Sequence, residues 1–167
     1  MVCVSGICWR PCWNWLRSVP SYEYQTYAHL FLLAYAFLLR VPSEAIPVMA
    51  GGRGSSKLTR EGEFLVLSLA RRKNRPAGSR LARNCWCKEC QRTCPLHVLG
   101  PVLDGRRQGL RVFPGVTAAG ALKVLREMLA VLGVDQSVEY RTHDLRRGHA
   151  KDLQMSGVDR RMSFWCI

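Results

Sequence analysis

The chain has 167 residues, of which 48% are hydrophobic and 22% are charged, which predicts about one globular domain with a buried core and excludes a disordered chain. Its 25 lysine and arginine residues against 12 aspartate and glutamate residues give a net charge of +13, so nucleic acid is the first partner to consider. The longest apolar run, residues 27 to 39, is too short to span a bilayer, and the first residues lack the basic segment of a signal peptide. We therefore expect an intracellular protein with no membrane partner.

The first part of the chain predicts a lead-in followed by a helix. Residues 1 to 20, rich in Trp, Cys and Pro, show neither helical nor strand periodicity, and we interpret them as a poorly specified lead-in to a core over residues 21 to 167. Residues 21 to 40 predict a mostly apolar helix, which Pro42 ends before a short segment at residues 44 to 48.

The middle of the chain predicts strands. Residues 57 to 59 suit an edge strand, and the continuous apolar run FLVLSL at 64 to 69 suits a buried strand. Asn, Pro and Gly cluster at 74 to 78, so the chain is expected to turn there and return as another strand. The pattern predicts a small antiparallel sheet with a basic hairpin that carries Lys73.

Two further helices are predicted after the sheet. Residues 117 to 132 place leucines and a methionine on one face and charged residues on the other, and Gly133 ends that helix. Residues 143 to 156 form the second, with Asp144 in its first turn and Gly157 as its stop. The expected fold class is therefore α+β and mainly helical, with helices flanking the small antiparallel sheet.

Three basic residues stand out as candidates for a site. His143 and Arg146 lie on one face of the last predicted helix, where an imidazole and a guanidinium fork can together bind a phosphate group and move a proton. Arg40 follows the apolar stretch AYAFLL, where a charge needs a partner. The alternatives are a solvated basic helix for the HxxR pair and a helix-terminal arginine that reaches solvent for Arg40.

The order of these features resembles the catalytic domain of the tyrosine recombinases and phage integrases, over roughly residues 25 to 157. The segment AYAFLLRVPSEAIPV resembles the family's first box, in which an arginine closes an apolar helix and an acidic residue follows, which is Glu44 in this sequence. The segment THDLRRGHA resembles its second box. The segments RKNRPAGS and RRGHA are most similar to integrase-like recombinases carried by eukaryotic mobile elements.

The resemblance implies DNA strand breakage and rejoining in DNA recombination and integration, without a cofactor for catalysis. Arg40 and Arg146 would hold the nonbridging oxygens of the phosphate, Lys73 would protonate the departing deoxyribose oxygen, and His143 would assist by hydrogen bonding or proton transfer. Double-stranded DNA is the implied partner, with self-association on DNA and a nuclear location.

The chain also departs from the family pattern. The family's His or Trp position and its nucleophilic tyrosine would fall beyond Ile167, and Glu44 lies one residue later relative to Arg40 than is usual. We therefore expect a core that is incomplete at its C-terminus, through truncation or a shifted reading frame, and inactive as this fragment.

A cysteine-rich insert at residues 85 to 97 is a separate feature. It supplies five candidate metal ligands with the spacing C-x-C-x2-C-x3-C-x2-H, which are Cys85, Cys87, Cys90, Cys94 and His97. These suffice for a tetrahedral structural zinc site with one ligand to spare, while reduced thiols and disulfides are the alternatives. The insert also defines a rival function, a non-enzymatic zinc-stabilised nucleic-acid-binding module.

Overall fold

A computed structural model describes residues 14, 18, 19, 21–53, 55–72, 77–85, 87 and 94–155, with the backbone alone at 152, 153 and 155. Two of the predicted site residues, Lys73 and Cys90, lie outside these ranges, as does most of the predicted lead-in.

The fold is α+β, with helices packed around a four-stranded mixed sheet. Four α-helices are described, which are α1 (Tyr22–Ala36), α2 (Pro95–Asp104), α3 (Ala118–Val131) and α4 (His143–Met155). A π-helical turn at Val41–Ala45 and a 3₁₀ turn at Ser137–Glu139 complete the helical elements in this part of the chain.

The sheet contains four strands in the order β1 (Met49–Ala50), β2 (Lys57–Glu61), β3 (Phe64–Leu69) and β4 (Ser79–Asn84). The last three pair antiparallel, as predicted, with Leu58 opposite Leu67 and Leu67 opposite Leu81. The prediction of a wholly antiparallel sheet is wrong at one edge, because β1 pairs with β2 in parallel. A strand of only two residues leaves no periodicity in the sequence from which it can be recognised.

Helix α1 lies at the centre of the fold. It is buried on nearly every side, which explains why its sequence is apolar throughout rather than amphipathic. It contacts α2, α3 and α4, and its side chains share one core with the inner face of the sheet. Apolar as α1 is, no helix within the described ranges has the length and hydropathy that crossing a membrane requires.

Helix α1 ends four residues before Arg40, earlier than predicted. The N–H of Leu39 donates to the carbonyl of Ala34 at 2.8 Å and that of Leu38 to Tyr35 at 3.2 Å, so the last turn closes in a Schellman motif. Leu38 takes the left-handed conformation of this motif, with φ +57°. The chain then leaves the helix axis. Arg40 has an extended backbone and is the N-cap residue of the π-helical turn.

Candidate functional site

A buried carboxylate organises the segment that carries Arg40. The side chain of Glu44, with a residue exposure of 5%, folds back so that its Oε2 accepts a hydrogen bond from the backbone N–H of Arg40 at 2.8 Å. This contact fixes the backbone of Arg40 while leaving its guanidinium free of that carboxylate. Glu44, the acidic residue of the predicted first box, therefore holds the backbone at Arg40 in place.

Arg72, which follows β3, is the cation that pairs with Glu44. Its Nε lies 3.4 Å from Oε1 of Glu44, and its Nη2 lies 3.4 Å from the carbonyl oxygen of Leu38. Both side chains of the pair are nearly enclosed, with exposures of 13% for Arg72 and 6% for Glu44. Sequence analysis did not select Arg72, although a buried acid needs a basic partner and a run of basic residues follows the buried strand.

Helix α4 brings His143 and Arg146 to the same region. Burial lowers the pKa of Arg146, and the positive charges of Arg72 and Arg40 lower it further, whereas the Glu44 carboxylate acts in the opposite direction. The pKa of His143 is also lowered by partial burial and then by the charges of Arg147, Arg146 and Arg40, although much of this side chain is exposed. Arg40, His143 and Arg146 therefore lie within the range of one another's charge, while Lys73 lies outside the described residues.

The region carries more positive than negative charge. The guanidinium of Arg72 pairs with the buried carboxylate of Glu44, and the charges of Arg72, Arg40 and Glu44 all act on Arg146. Within the described residues, the ion pairs include Arg72 with Glu44 and give neither Arg40 nor Arg146 a carboxylate within 4.0 Å. Such an excess of cationic forks favours an anion with several oxygen atoms, such as a phosphate.

His149, on the same helix, has a packing function. It is 6% exposed, its ring stacks on Tyr35 with centroids 4.4 Å apart, and its Nδ1 donates to the carbonyl of Tyr35. Burial lowers the pKa of His149 to about 4, so the ring is neutral near pH 7. This contact fastens α4 to α1 and thereby fixes where His143 and Arg146 stand relative to Arg40.

The sheet supports the end of α1 through a second arginine. Arg83 of β4 donates from Nε to the carbonyl of Ala36 at 2.7 Å, and its guanidinium carbon lies 5.3 Å from the centre of the Phe37 ring. Cations near the C-terminus of a helix satisfy its free carbonyls and complement its dipole. The end of α1 is therefore held by Arg83 from β4 and by Arg72 from the segment after β3.

A cluster of three cysteines and one histidine forms a second candidate site. The ligand atoms of Cys85, Cys87, Cys94 and His97 all lie within 4.8 Å of one another, so this group can hold a metal ion. Cys85 and Cys87 follow β4, while Cys94 precedes α2 and His97 lies in its first turn. The three cysteines are free, so the disulfide alternative does not apply among them in this structure.

The thiols of this cluster influence one another's ionisation. The backbone N–H of Cys87 donates to Sγ of Cys85 and lowers the pKa of Cys85. The hydrogen bond to Cys85 and the proximity of the other sulfur atoms raise the pKa of Cys87 to about 12.

Comparison with profiles of known protein families, with curated proteins and with solved structures found no match. The resemblance to tyrosine recombinases therefore stays a prediction from the motifs. The geometry adds that Arg40 and the HxxR pair, which lie near opposite ends of the described chain, belong to one charged region.

Proposed function

We propose that this chain is the DNA-binding catalytic core of a tyrosine-recombinase-like protein, which acts in the breakage and rejoining of DNA strands during recombination and integration. The observation that carries the proposal is that Arg40, His143 and Arg146 lie within the range of one another's charge, and that the buried carboxylate of Glu44 fixes the backbone of Arg40. A solvated basic helix does not account for the partial burial of Arg146 or for its nearness to two other arginines.

The chemistry follows from these side chains. The guanidinium forks of Arg40 and Arg146 bind the nonbridging oxygens of a phosphodiester and stabilise the extra negative charge of the phosphorane that forms during attack. His143, whose lowered pKa favours the neutral ring near pH 7, can donate or accept a hydrogen bond at the reacting phosphate. Lys73 protonates the leaving deoxyribose oxygen, and the attacking tyrosine comes from a segment with the family's remaining motif, as the resemblance implies.

The wider surface supports a DNA partner. A net charge of +13 holds a polyanion largely through the release of its counterions. Self-association on DNA and a nuclear location belong to the same proposal, since they follow from a mobile-element recombinase acting on chromosomal DNA.

Binding of a DNA duplex at several salt concentrations tests this assignment. Arg146→Ala should weaken binding by about tenfold and reduce the slope of log affinity against log salt by about one, because one phosphate contact is lost. Arg147→Ala is the matched control, because Arg147 is the next residue on α4 but is exposed and paired with Asp144 at 3.4 Å. Binding that depends on Arg147 and is indifferent to Arg146 would contradict the assignment.

A second candidate function is a non-enzymatic zinc-stabilised nucleic-acid-binding module, and the Cys/His cluster is the observation that favours it. Thiolate and imidazole ligands are those that structural zinc prefers. In such a module the arginines would only hold phosphate. The two functions differ in strand cleavage, which the module cannot perform.

A further inference from the structure

The cysteine and histidine cluster has the dimensions of a coordination shell. The Nδ1 atom of His97 lies 3.1 Å from Sγ of Cys87, 3.3 Å from Sγ of Cys94 and 3.7 Å from Sγ of Cys85. The sulfur atoms of Cys85 and Cys94 are 3.8 Å apart. All four ligand atoms lie within 4.8 Å of one another, so a single ion can contact each of them.

Tetrahedral zinc requires similar separations. With Zn–S bonds of about 2.3 Å and Zn–N bonds of about 2.05 Å, ligand sulfur atoms lie about 3.8 Å apart and sulfur lies about 3.6 Å from nitrogen. The separation between Cys85 and Cys94 meets the first value, and the three sulfur to nitrogen separations lie within about half an ångström of the second.

We infer that Cys85, Cys87, Cys94 and Nδ1 of His97 bind one zinc ion, which fastens the end of β4 to the start of α2. Three thiols lose their protons to solvent when the ion binds, and the neutral imidazole completes a closed site of four protein ligands. These four ligands supply a full tetrahedral shell, so the inference assigns no ligand to Cys90, which lies outside the described residues.

The position of the cluster in the chain gives the ion a structural function. Cys85 directly follows β4, and Cys94 is the residue that precedes α2, whose Leu96, Leu99 and Leu103 are buried in the core. The three thiolates outweigh the charge of the ion, and the positive end of α2 lies beside them to offset the remaining negative charge. The ion would link Cys85 and Cys87 after β4 to Cys94 and His97 at the start of α2.

The metal also has a connection to the cationic region. Arg83 lies two residues before Cys85 and donates to the carbonyl of Ala36 at the end of α1. A zinc ion that fixes the end of β4 therefore also steadies the arginine that supports the segment leading to Arg40. The inference itself does not depend on the proposed DNA chemistry, because the ligand set is complete without it.

The test uses the full chain, purified without a polyhistidine tag, with zinc measured by elemental analysis. The expected content is about one zinc ion per chain, and replacement by Co²⁺ should give thiolate-to-cobalt charge transfer and the strong visible bands of a tetrahedral site. A chelator should lower the melting temperature, since an ion bound only by the folded state adds to stability. Metal-free chain whose melting is unchanged by zinc and by chelator would overturn the inference.

Variants test the ligand set. His97→Gln, which changes an exposed side chain, should weaken zinc binding by at least about tenfold, while Cys90→Ser, the matched control in the same loop, should retain zinc as the parent chain does. Loss of zinc in Cys90→Ser with retention in His97→Gln would show that the assignment is wrong. The Co²⁺ spectrum of the parent chain tests the site even if a variant does not fold, and none of these readouts requires DNA.

Discussion

Arg72 and Glu44 form an ion pair with 3.4 Å between Nε and Oε1, nearly enclosed by protein, although 28 residues separate them in the chain. The pair joins the segment after β3 to the π-helical turn that follows Arg40. It also balances the charge of Arg72, while Arg40 and Arg146 have no carboxylate within 4.0 Å among the described residues.

Loss of the Glu44 charge should destabilise the fold. Glu44→Gln leaves Arg72 buried without its counter-charge, and removal of one partner from a buried pair typically costs about 3 kcal/mol in the free energy of unfolding. Glu61→Gln is the control, because Glu61 pairs with Arg80 at an exposed position where the loss should be under about 1 kcal/mol. Urea unfolding measures both, and equal losses would contradict a buried charge pair at Glu44.

Stability should fall as the pH is lowered through the range between the two pKa values of His149. The folded-state pKa of about 4 lies below the ordinary value of 6.5, so between these values the unfolded chain binds a proton that the folded chain does not. The contribution is fully present above pH 6.5 and is lost as the pH falls toward 4, and its full size is roughly 3 kcal/mol.

Urea unfolding at a series of pH values measures this dependence. His149→Phe, which keeps an aromatic ring against Tyr35, should show a smaller loss of stability between pH 6.5 and pH 4 than the parent chain. The same pH profile in both proteins would show that the buried imidazole is not its source.

Gly120 should not tolerate a side chain while Tyr27 is present. A Cβ atom at this position of α3 would lie 2.1 Å from the hydroxyl oxygen of Tyr27, which is buried in α1. Gly120→Ala should therefore destabilise the fold by about 1–2 kcal/mol despite the better helix propensity of alanine. The effect should be smaller in a Tyr27→Phe background, and an unchanged effect there would locate the clash elsewhere.

The parts of the fold that sequence analysis predicted well are those with a long, regular pattern. The amphipathic stretch at 117 to 132 became α3, with Thr117 accepting a hydrogen bond from the N–H of Gly120, and the apolar run at 64 to 69 became β3. Helix α2 was missed, because it is short, contains Pro101 and follows the irregular cysteine insert. Local patterning carries little signal for such an element.

Some residues of the candidate sites could be selected from the sequence, and others could not. Arg40, His143 and Arg146 could be selected from the sequence because each stands in an unusual local setting. Arg72 could not, because its significance comes from the distant Glu44 with which it pairs. Of the five predicted metal ligands, the spacing alone could not show which lie together, whereas the folded chain brings the four that it describes, Cys85, Cys87, Cys94 and His97, within 4.8 Å of one another.

The most direct test of the central claim is strand cleavage by this chain joined to a recombinase C-terminal segment that supplies the family's His or Trp and its tyrosine. On a nicked suicide substrate the joined protein should form a covalent DNA adduct, visible on a denaturing gel, because the released fragment cannot return. Arg146→Ala should abolish the adduct even at protein concentrations high enough to saturate its weakened DNA binding, whereas Arg147→Ala should retain the adduct. An adduct that persists in Arg146→Ala would contradict a catalytic function for Arg40, His143 and Arg146. A joined protein that binds the substrate without cleaving it would contradict it as well.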